Sequence, residues 1–188
     1  MPTLNQPKFS NKSKNFILAF AFIKRLEGGY VNCPGDRGGA TNVGITQATY
    51  DAFRKAHYLP TVFVGNIELA EIEEIYYSFY WYPICGDTFH PAISFVLFDC
   101  AVHSGPGRAA LYAQRILRIQ QTGVFDEPTI AAIQNANADE FVKAFIAYRS
   151  EMLFILSKRP SQRKFRRGWL ARMHLVKEFS KEFFNDAA

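Results

Sequence analysis

The sequence predicts a mainly α fold, in a chain of 188 residues that is long enough to bury a real core as one compact domain or two small lobes. Two observations support this fold class. Apolar residues recur at helical spacing in successive segments between about residue 13 and residue 184. The exception is the stretch 30–46, which is rich in glycine, has no helical period and predicts turns with a small hairpin.

The first helix is predicted to run to about residue 26, with Asn11 or Ser13 as its N-terminal cap. Its dense apolar positions indicate a largely buried helix. Gly28-Gly29 is predicted to end it, because glycine readily takes the left-handed conformation that closes many helices. Glu27 then lies in the last turn, where the helix dipole disfavours an anion and favours a carboxyl group that holds its proton.

The rest of the chain predicts further helices separated by turns. Thr46 is the expected cap of the next helix, and Glu127-Pro128 opens a short one. The predicted helices cover about residues 47–56, 67–80, 91–103, 108–117, 129–135, 138–157 and 169–184, with a linker at 57–65 and a basic loop at 158–168. We expect a flexible N-terminus at 1–12, a first lobe at 13–90 and a second at 91–188, packed as one globule.

The net charge of +5 comes entirely from the second half, since residues 91–188 hold fourteen Lys and Arg against nine Asp and Glu. A basic half favours a polyanionic partner, and charge alone does not choose among cell wall, anionic lipid and nucleic acid. No nucleic-acid-binding motif is present, so we expect no nucleic acid partner. The longest cationic run is read as a solvated face or as a surface for wall anions; it comprises Lys158, Arg159, Arg163, Lys164, Arg166, Arg167 and Arg172.

Several classes of protein are disfavoured by the sequence. Cys33, Cys85 and Cys100 are odd in number and widely spaced, which argues against a disulfide framework or a zinc site and favours free thiols. His57 and the other histidines are isolated, so neither a metal nor another cofactor is expected. The apolar run 16–23 is short and is followed at once by Lys24, which disfavours a signal peptide, and no stretch reaches the length of a membrane span.

Glu27 and Asp36 are the candidate catalytic pair. Cleavage of a glycosidic bond needs one group that protonates the leaving oxygen and a second carboxylate that activates water or stabilises the transition state. A Glu at a rigid helix end suits the first role, and an Asp in a polar loop suits the second. The alternatives are a surface Glu at a helix end and a turn-forming Asp. Thr41 either positions water or is structural, and a retaining or inverting outcome stays open.

Candidate substrate contacts are aromatic or polar. Tyr30, Trp81 and Tyr82 offer planes on which sugar rings stack, although core packing is expected for at least one of them. Asp99 and His103 lie four residues apart on one face of a helix, where they bind peptide or sugar or make a helix-end hydrogen bond.

Three groups of residues carry a resemblance to a known family. The first is Glu27-Gly28-Gly29-Tyr30 with Asp36-x-Gly38-Gly39-x-Thr41-Asn42-x-Gly44-Ile45-Thr46. The second is Trp81-Tyr82-Pro83 with Gly86-Asp87. The third is Phe98-Asp99-x-Ala101-Val102-His103-Ser104-Gly105-Pro106, with Gln114-Arg115, Gly123-Val124, Arg167-Gly168-Trp169 and Arg172. Together they resemble glycoside hydrolase family 108, the phage-like N-acetylmuramidases, over about residues 15–175.

The resemblance implies a lysozyme-like helical fold with a groove between two lobes, and a second lobe like the peptidoglycan-binding region of this family. It implies an enzyme that cuts the β-1,4 bond between N-acetylmuramic acid and N-acetylglucosamine. The implied catalytic residues are Glu27, Asp36 and Thr41. The implied substrate contacts are Tyr30, Thr46, Trp81, Tyr82, Asp99, His103 and Trp169. Where the family commonly has Asn, this chain has His103.

The main alternative is a wall-binding or assembly protein that keeps the fold without the activity. In either case the expected partner is bacterial peptidoglycan, without stable membrane insertion, and the protein is expected to act as a monomer. We expect synthesis in the cytoplasm, followed by release through a holin-like pore or a secretion apparatus to the periplasm or cell wall.

Overall fold

The computed structural model describes residues 12–31 and 40–185, which divide into two units between Tyr77 and Ser78. The prediction of a mainly α fold is confirmed, because the described residues form eight α-helices and one short hairpin. None of these helices is long and apolar enough to span a membrane. The expected domain boundary after residue 90 stays a prediction, and the predicted flexible N-terminus falls, except for Lys12, outside the described residues.

Helix α1 (Lys14–Leu26) begins as predicted at Ser13, whose hydroxyl oxygen accepts a hydrogen bond of 3.2 Å from the backbone N–H of Phe16. The reason given for its end was wrong. Gly28 and Gly29 do not take positive φ values. The helix ends because Glu27 adopts extended backbone angles, with φ −84° and ψ 137°.

The apolar face of α1 packs against the end of α3 (Leu69–Tyr76) within the first unit. Phe16 meets Tyr77 edge to face at 5.2 Å between ring centroids, and Phe20 meets Tyr76 at the same centroid distance. Lys12 adds an ion pair to Glu74 at the start of α1. The long axis of α1 is therefore fixed by aromatic packing before the chain reaches Glu27.

The predicted hairpin is formed by β1 (Thr41–Asn42) and β2 (Ile45–Thr46), which pair antiparallel. Val43 and Gly44 make the two-residue turn, with φ values of 48° and 73°. Positive φ at both central positions is the signature of the type I′ turn that suits two-residue hairpins. The chain then enters α2 (Gln47–Ala56) at Thr46, whose hydroxyl accepts from the N–H of Thr49 at 3.2 Å and caps the helix.

Polar side chains of α2 hold the linker that follows it. The side-chain amide of Gln47 donates to the carbonyl of Val62 and accepts from the N–H of Val64. Further along the helix, the hydroxyl of Tyr50 donates to the buried carboxylate of Glu71, which also pairs with Arg54. Burial and this carboxylate raise the pKa of Tyr50 to about 12.

The second unit is built around α4 (Pro91–Ser104). Residues 92–101 of this helix are all buried, as its apolar character on every side requires. It packs against α5 (Pro106–Leu117), α7 (Ala138–Leu156) and α8 (Arg166–Asn185), and α6 (Glu127–Gln134) packs on α5. A helix with no polar face can only lie at the centre of such a group, so α4 forms the core of the unit.

Two segments differ from the sequence prediction. The segment predicted as one helix at 67–80 is α-helical only as far as Tyr76. A wider helical turn over Tyr77–Trp81 follows, and then a tight turn over Tyr82–Ile84, where Pro83 lacks an N–H to donate. The predicted basic loop is instead a 3₁₀ helix, Pro160–Phe165, which leads directly into α8. Proline at the first position fits a helix start, and its fixed φ explains why a short helix forms here.

Candidate functional site

Glu27 directly follows α1, and its backbone N–H donates to the carbonyl of Ile23 at 3.0 Å. Its partly buried side chain lies against the turn of the hairpin. A Cβ atom added to Gly44 would lie 2.9 Å from Oε2 of Glu27 and 3.3 Å from its Cδ. The absence of a side chain at position 44 therefore makes room for the carboxyl group, and glycine also suits the positive φ of this position.

Tyr76 also contacts this turn. Its buried hydroxyl donates a hydrogen bond of 2.8 Å to the carbonyl oxygen of Val43. The Cβ atom added to Gly44 would also lie 2.8 Å from this hydroxyl oxygen. Val43 is β-branched and has a φ of 48°, a conformation that costs about 1–3 kcal/mol and needs support from its surroundings. The ends of α1 and α3 thus meet at one turn beside Glu27.

Among the described residues, nothing crowds the two glycines that follow Glu27. A Cβ atom added to Gly28 or Gly29 would meet nothing within 4 Å, and both glycines are exposed. Lys24 and Arg25 occupy the last turn of α1, where cations are favoured. A carboxyl group fixed at a helix end beside open space can donate a proton to a bulky ligand that approaches from solvent.

Of the two predicted partners of Glu27, one can be placed. Thr41 exchanges backbone hydrogen bonds of 2.8 and 2.9 Å with Val31, which makes Val31 a short third segment beside the hairpin. Thr41 thus lies in the strand that leads to the Gly44 turn, and its catalytic role stays a prediction. Asp36 lies outside the described residues.

Tyr30 and Phe63 form an exposed aromatic pair in the first unit. Their side chains are 48% and 49% exposed, and their rings meet edge to face at 5.7 Å between centroids. Gly65 lies directly under Phe63, since an added Cβ would be 2.5 Å from the ring. Tyr30 is one of the predicted substrate contacts, whereas Phe63 is not among the predicted residues. No local pattern marked Phe63, since the linker 57–65 also contains the exposed Tyr58.

Trp81 does not offer a face to a sugar, which corrects its prediction as a substrate contact. The ring is buried; its N–H donates to Asp87 at 2.9 Å and its plane meets Phe98 edge to face. Gly86 packs against it so closely that an added Cβ would lie 2.4 Å from the ring. The Trp81, Gly86 and Asp87 pattern therefore builds a core turn. Neighbouring Tyr82 is 72% exposed and remains a candidate for sugar stacking.

Asp99 is also corrected as a direct substrate contact. The side chain is fully buried in α4 and its two oxygens pair with Arg149 of α7 and Arg172 of α8. Burial by itself raises the pKa of Asp99, but the two guanidinium groups hold the pKa below its ordinary value. This buried cluster ties three helices of the unit together, and a buried ion pair of this kind fixes their mutual positions.

His103 and Trp169 lie beside this cluster. Their rings meet edge to face at 6.1 Å, and Phe165 stacks on Trp169. Burial, followed by repulsion from Arg149 and Arg172, lowers the pKa of His103 from 6.5 to about 4. His103 is therefore neutral at physiological pH. The second unit thus brings together Asp99, His103 and Trp169, of which His103 and Trp169 keep some exposure and stay predicted contacts.

Thr46 and the cysteines complete the predicted residues. Thr46 caps α2, which was the structural alternative for this residue, and its substrate contact stays a prediction. Cys85 and Cys100 are free thiols, and Cys33 lies outside the described residues. Among the described residues, no group of three His, Cys, Asp or Glu side chains is arranged to hold a metal ion.

The first unit combines a partly buried carboxyl group at a helix end with an exposed aromatic pair, and a glycoside hydrolase uses such a carboxyl group together with a second one. The model of the family Glycosyl hydrolase 108 matches residues 20–105. A solved structure, that of Brucella abortus SagA, is 32% identical in sequence and matches with a TM-score of 0.76. The match covers 89% of this chain and 94% of the SagA chain. No curated protein matches the chain. The chain belongs to glycosyl hydrolase family 108.

Proposed function

We propose that the protein is an N-acetylmuramidase that hydrolyses the β-1,4 bond between N-acetylmuramic acid and N-acetylglucosamine in peptidoglycan. The observation that carries the proposal is the seating of the Glu27 carboxyl group against Gly44, within the segment that matches the family model. Glu27 is the proposed general acid, which protonates the leaving oxygen. Aromatic packing of α1 and the turn that Tyr76 supports limit its movement.

The second catalytic group is proposed in the hairpin region. Asp36, as the ionised carboxylate, would activate water or stabilise the transition state, and Thr41 would position that water. Thr41 belongs to the strand that ends at the Gly44 turn, which supports its assignment to the same site as Glu27.

Sugar rings are proposed to stack on the exposed aromatic side chains. Tyr30 lies three residues after Glu27 in the sequence, and with Phe63 it presents an apolar surface of two half-exposed rings. Pyranose rings have apolar faces that match such planes. In the second unit, Tyr82, His103 and Trp169 are the proposed contacts for the glycan or its peptide, and the positive charge of residues 91–188 favours the anionic wall.

The proposed setting is the bacterial cell wall. Peptidoglycan is the partner, the protein works as a monomer, and a holin-like pore or a secretion apparatus delivers it to the periplasm. Neither a cofactor nor a metal enters the proposed reaction, since two carboxyl groups and water supply the chemistry.

The experiment is digestion of purified peptidoglycan with the wild type, with Glu27→Gln and with Glu151→Gln, followed by mass spectrometry of the soluble fragments. Glu151 is an exposed glutamate of α7 and serves as the matched control. We expect fragments with a reducing N-acetylmuramic acid end from the wild type and the control, and at least a ~10²-fold lower rate from Glu27→Gln with unchanged folding.

Three outcomes would count against the proposal. Reducing N-acetylglucosamine ends would exclude a muramidase, and full activity of Glu27→Gln would exclude this residue as the acid. If the folded wild type pellets with peptidoglycan but releases no fragments, the non-catalytic binding protein becomes the better assignment.

A further inference from the structure

The second unit contains a long stretch of sequence that is rich in basic residues and has no acidic ones. From residue 152 to residue 177 there are eight Lys and Arg residues and neither Asp nor Glu. Arg172 is compensated inside the unit by Asp99. The cations of residues 158–167 are all exposed, at the end of α7, along the 3₁₀ helix Pro160–Phe165 and at the start of α8.

Apolar side chains are exposed among these cations. Phe154, Phe165 and Leu170 are between 39% and 47% exposed, and Phe154 and Leu170 line one crevice between α7 and α8. We call these three residues, together with Lys158, Lys164 and Arg166, the basic aromatic patch. Exposed apolar groups that cluster within a charged surface mark an interaction site more often than singly scattered ones.

The ring faces in the patch are already engaged. The charged groups of Lys158 and Arg166 each lie 5.0 Å from the centroid of the Phe154 ring. Lys164 lies 5.0 Å from the centroid of Phe165, which also stacks on Trp169. Stacking of a sugar or a nucleic acid base on these faces would have to displace these contacts. The side chains of Phe154, Phe165 and Leu170 nevertheless stay partly exposed to solvent.

We propose that the basic aromatic patch binds the surface of a membrane that contains anionic phospholipid. Such a surface matches both the cationic and the apolar side chains of the patch. The headgroup phosphates attract Lys and Arg, and the boundary of the acyl chains accommodates Phe and Leu side chains. A glycan or nucleic acid polyanion would use the charges but would leave Phe165 and Leu170 in water. The patch adjoins Trp169, which is also a proposed glycan contact, but its binding to a membrane does not depend on the proposed hydrolysis and would hold the protein at the face of a membrane beside the wall.

The test is sedimentation of the full-length protein with vesicles of phosphatidylcholine alone and of phosphatidylcholine mixed with phosphatidylglycerol. We expect binding only to the mixed vesicles, weakened by added salt. Trp169 contacts the patch whereas Trp81 is buried. Binding should therefore shift the fluorescence of Trp169 to shorter wavelength and protect it from iodide, with Trp169→Phe removing the signal.

Two sets of variants separate charge from apolar contact. Phe165→Ser with Leu170→Ser keeps the net charge and should weaken vesicle binding about tenfold. Lys158→Gln with Lys164→Gln and Arg166→Gln should weaken it by at least as much. The controls are Val124→Ser, an exposed apolar residue elsewhere in the unit, and Arg115→Gln with Arg118→Gln. All positions are exposed, and equal melting temperatures will verify folding.

The proposal is overturned if the Phe165 and Leu170 substitutions leave vesicle binding unchanged, because the attraction is then that of any basic protein. It is also overturned if the patch substitutions weaken binding to peptidoglycan or to DNA while vesicle binding is unaffected. That result would assign the patch to a polymer instead.

Discussion

The hydroxyl of Tyr76 donates a hydrogen bond of 2.8 Å to the carbonyl oxygen of Val43, the first residue of the turn that faces Glu27. Val43 is held in a left-handed conformation that a β-branched residue rarely adopts. The hydrogen bond thus connects the strained turn to helix α3. The next residue of the same turn, Gly44, lies against the carboxyl group of Glu27.

We therefore expect Tyr76→Phe to lower the free energy of unfolding by about 1 kcal/mol and to lower kcat on peptidoglycan by about tenfold. The carbonyl of Val43 loses this donor, so the turn relaxes and Glu27 loses its fixed position. Tyr50→Phe is the matched control, because it removes a buried hydroxyl of the same unit that donates to Glu71, away from the turn. Equal kcat values for both variants would show that Tyr76 contributes to stability alone.

Gly44→Ala tests the room beside Glu27 directly. The new Cβ would lie 2.9 Å from Oε2 of Glu27 and 2.8 Å from the hydroxyl oxygen of Tyr76. The φ angle of residue 44 is 73°, which alanine rarely adopts. We expect the free energy of unfolding to fall by about 1–3 kcal/mol. We expect kcat on peptidoglycan to lose a larger fraction of its wild-type value than the free energy of unfolding does. Gly28→Ala, whose Cβ meets nothing within 4 Å, should leave both near wild type.

The double variant Tyr76→Phe with Gly44→Ala tests whether these two positions contact the same turn. With Tyr76→Phe in place, one of the two close contacts of the new Cβ disappears, so Gly44→Ala should cost less stability than in the wild type. Its contact with Glu27 remains, and activity should stay low. Strictly additive losses of unfolding free energy would show that position 44 and Tyr76 do not share the turn as described.

Phe63→Ala and Tyr30→Ala test the exposed aromatic pair. Each removes one ring of the proposed sugar platform, so KM for soluble glycan chains should rise about tenfold while kcat changes little. Tyr58→Ala is the control, since this residue of the same unit is 97% exposed and lies outside the pair. A fall in kcat at constant KM would instead indicate that the pair positions the catalytic segment.

Local signals in the sequence predicted the helix starts well. Ser13 and Thr46 cap α1 and α2 as expected, because capping depends on residues only three positions apart. The apolar character of α4 on all sides likewise predicted a buried helix. The end of α1 was assigned to the wrong cause, since two glycines after a helix permit a left-handed conformation but do not impose it.

Long-range pairing explains what the sequence did not predict. Asp99 finds its partners 50 and 73 residues later, at Arg149 and Arg172, and no local pattern shows that its oxygens are already occupied. Phe63 becomes part of a candidate site only because Tyr30 lies against it. The hydroxyl of Tyr76 meets a carbonyl 33 residues earlier, which helical periodicity does not encode.

The lowered pKa of His103 predicts a dependence of stability on pH. In the unfolded chain the imidazole takes up a proton near its ordinary value of 6.5, whereas in the folded protein it does so only near 4. The resulting stabilisation is complete above pH 6.5 and is lost as the pH falls towards 4. A difference of this size corresponds to up to about 3 kcal/mol.

His103→Asn removes this titration while keeping a neutral polar side chain beside Arg149, Arg172 and Trp169. Urea unfolding at pH 7 and at pH 4.5 should show that the wild type loses more stability than this variant between the two values, by about 2 kcal/mol. His174→Asn, at an exposed position of α8, should behave as the wild type. Asp99 titrates at lower pH and is common to all three proteins, so it does not affect the comparison. An equal loss of stability in His103→Asn and the wild type would contradict the burial of a neutral imidazole beside the two arginines.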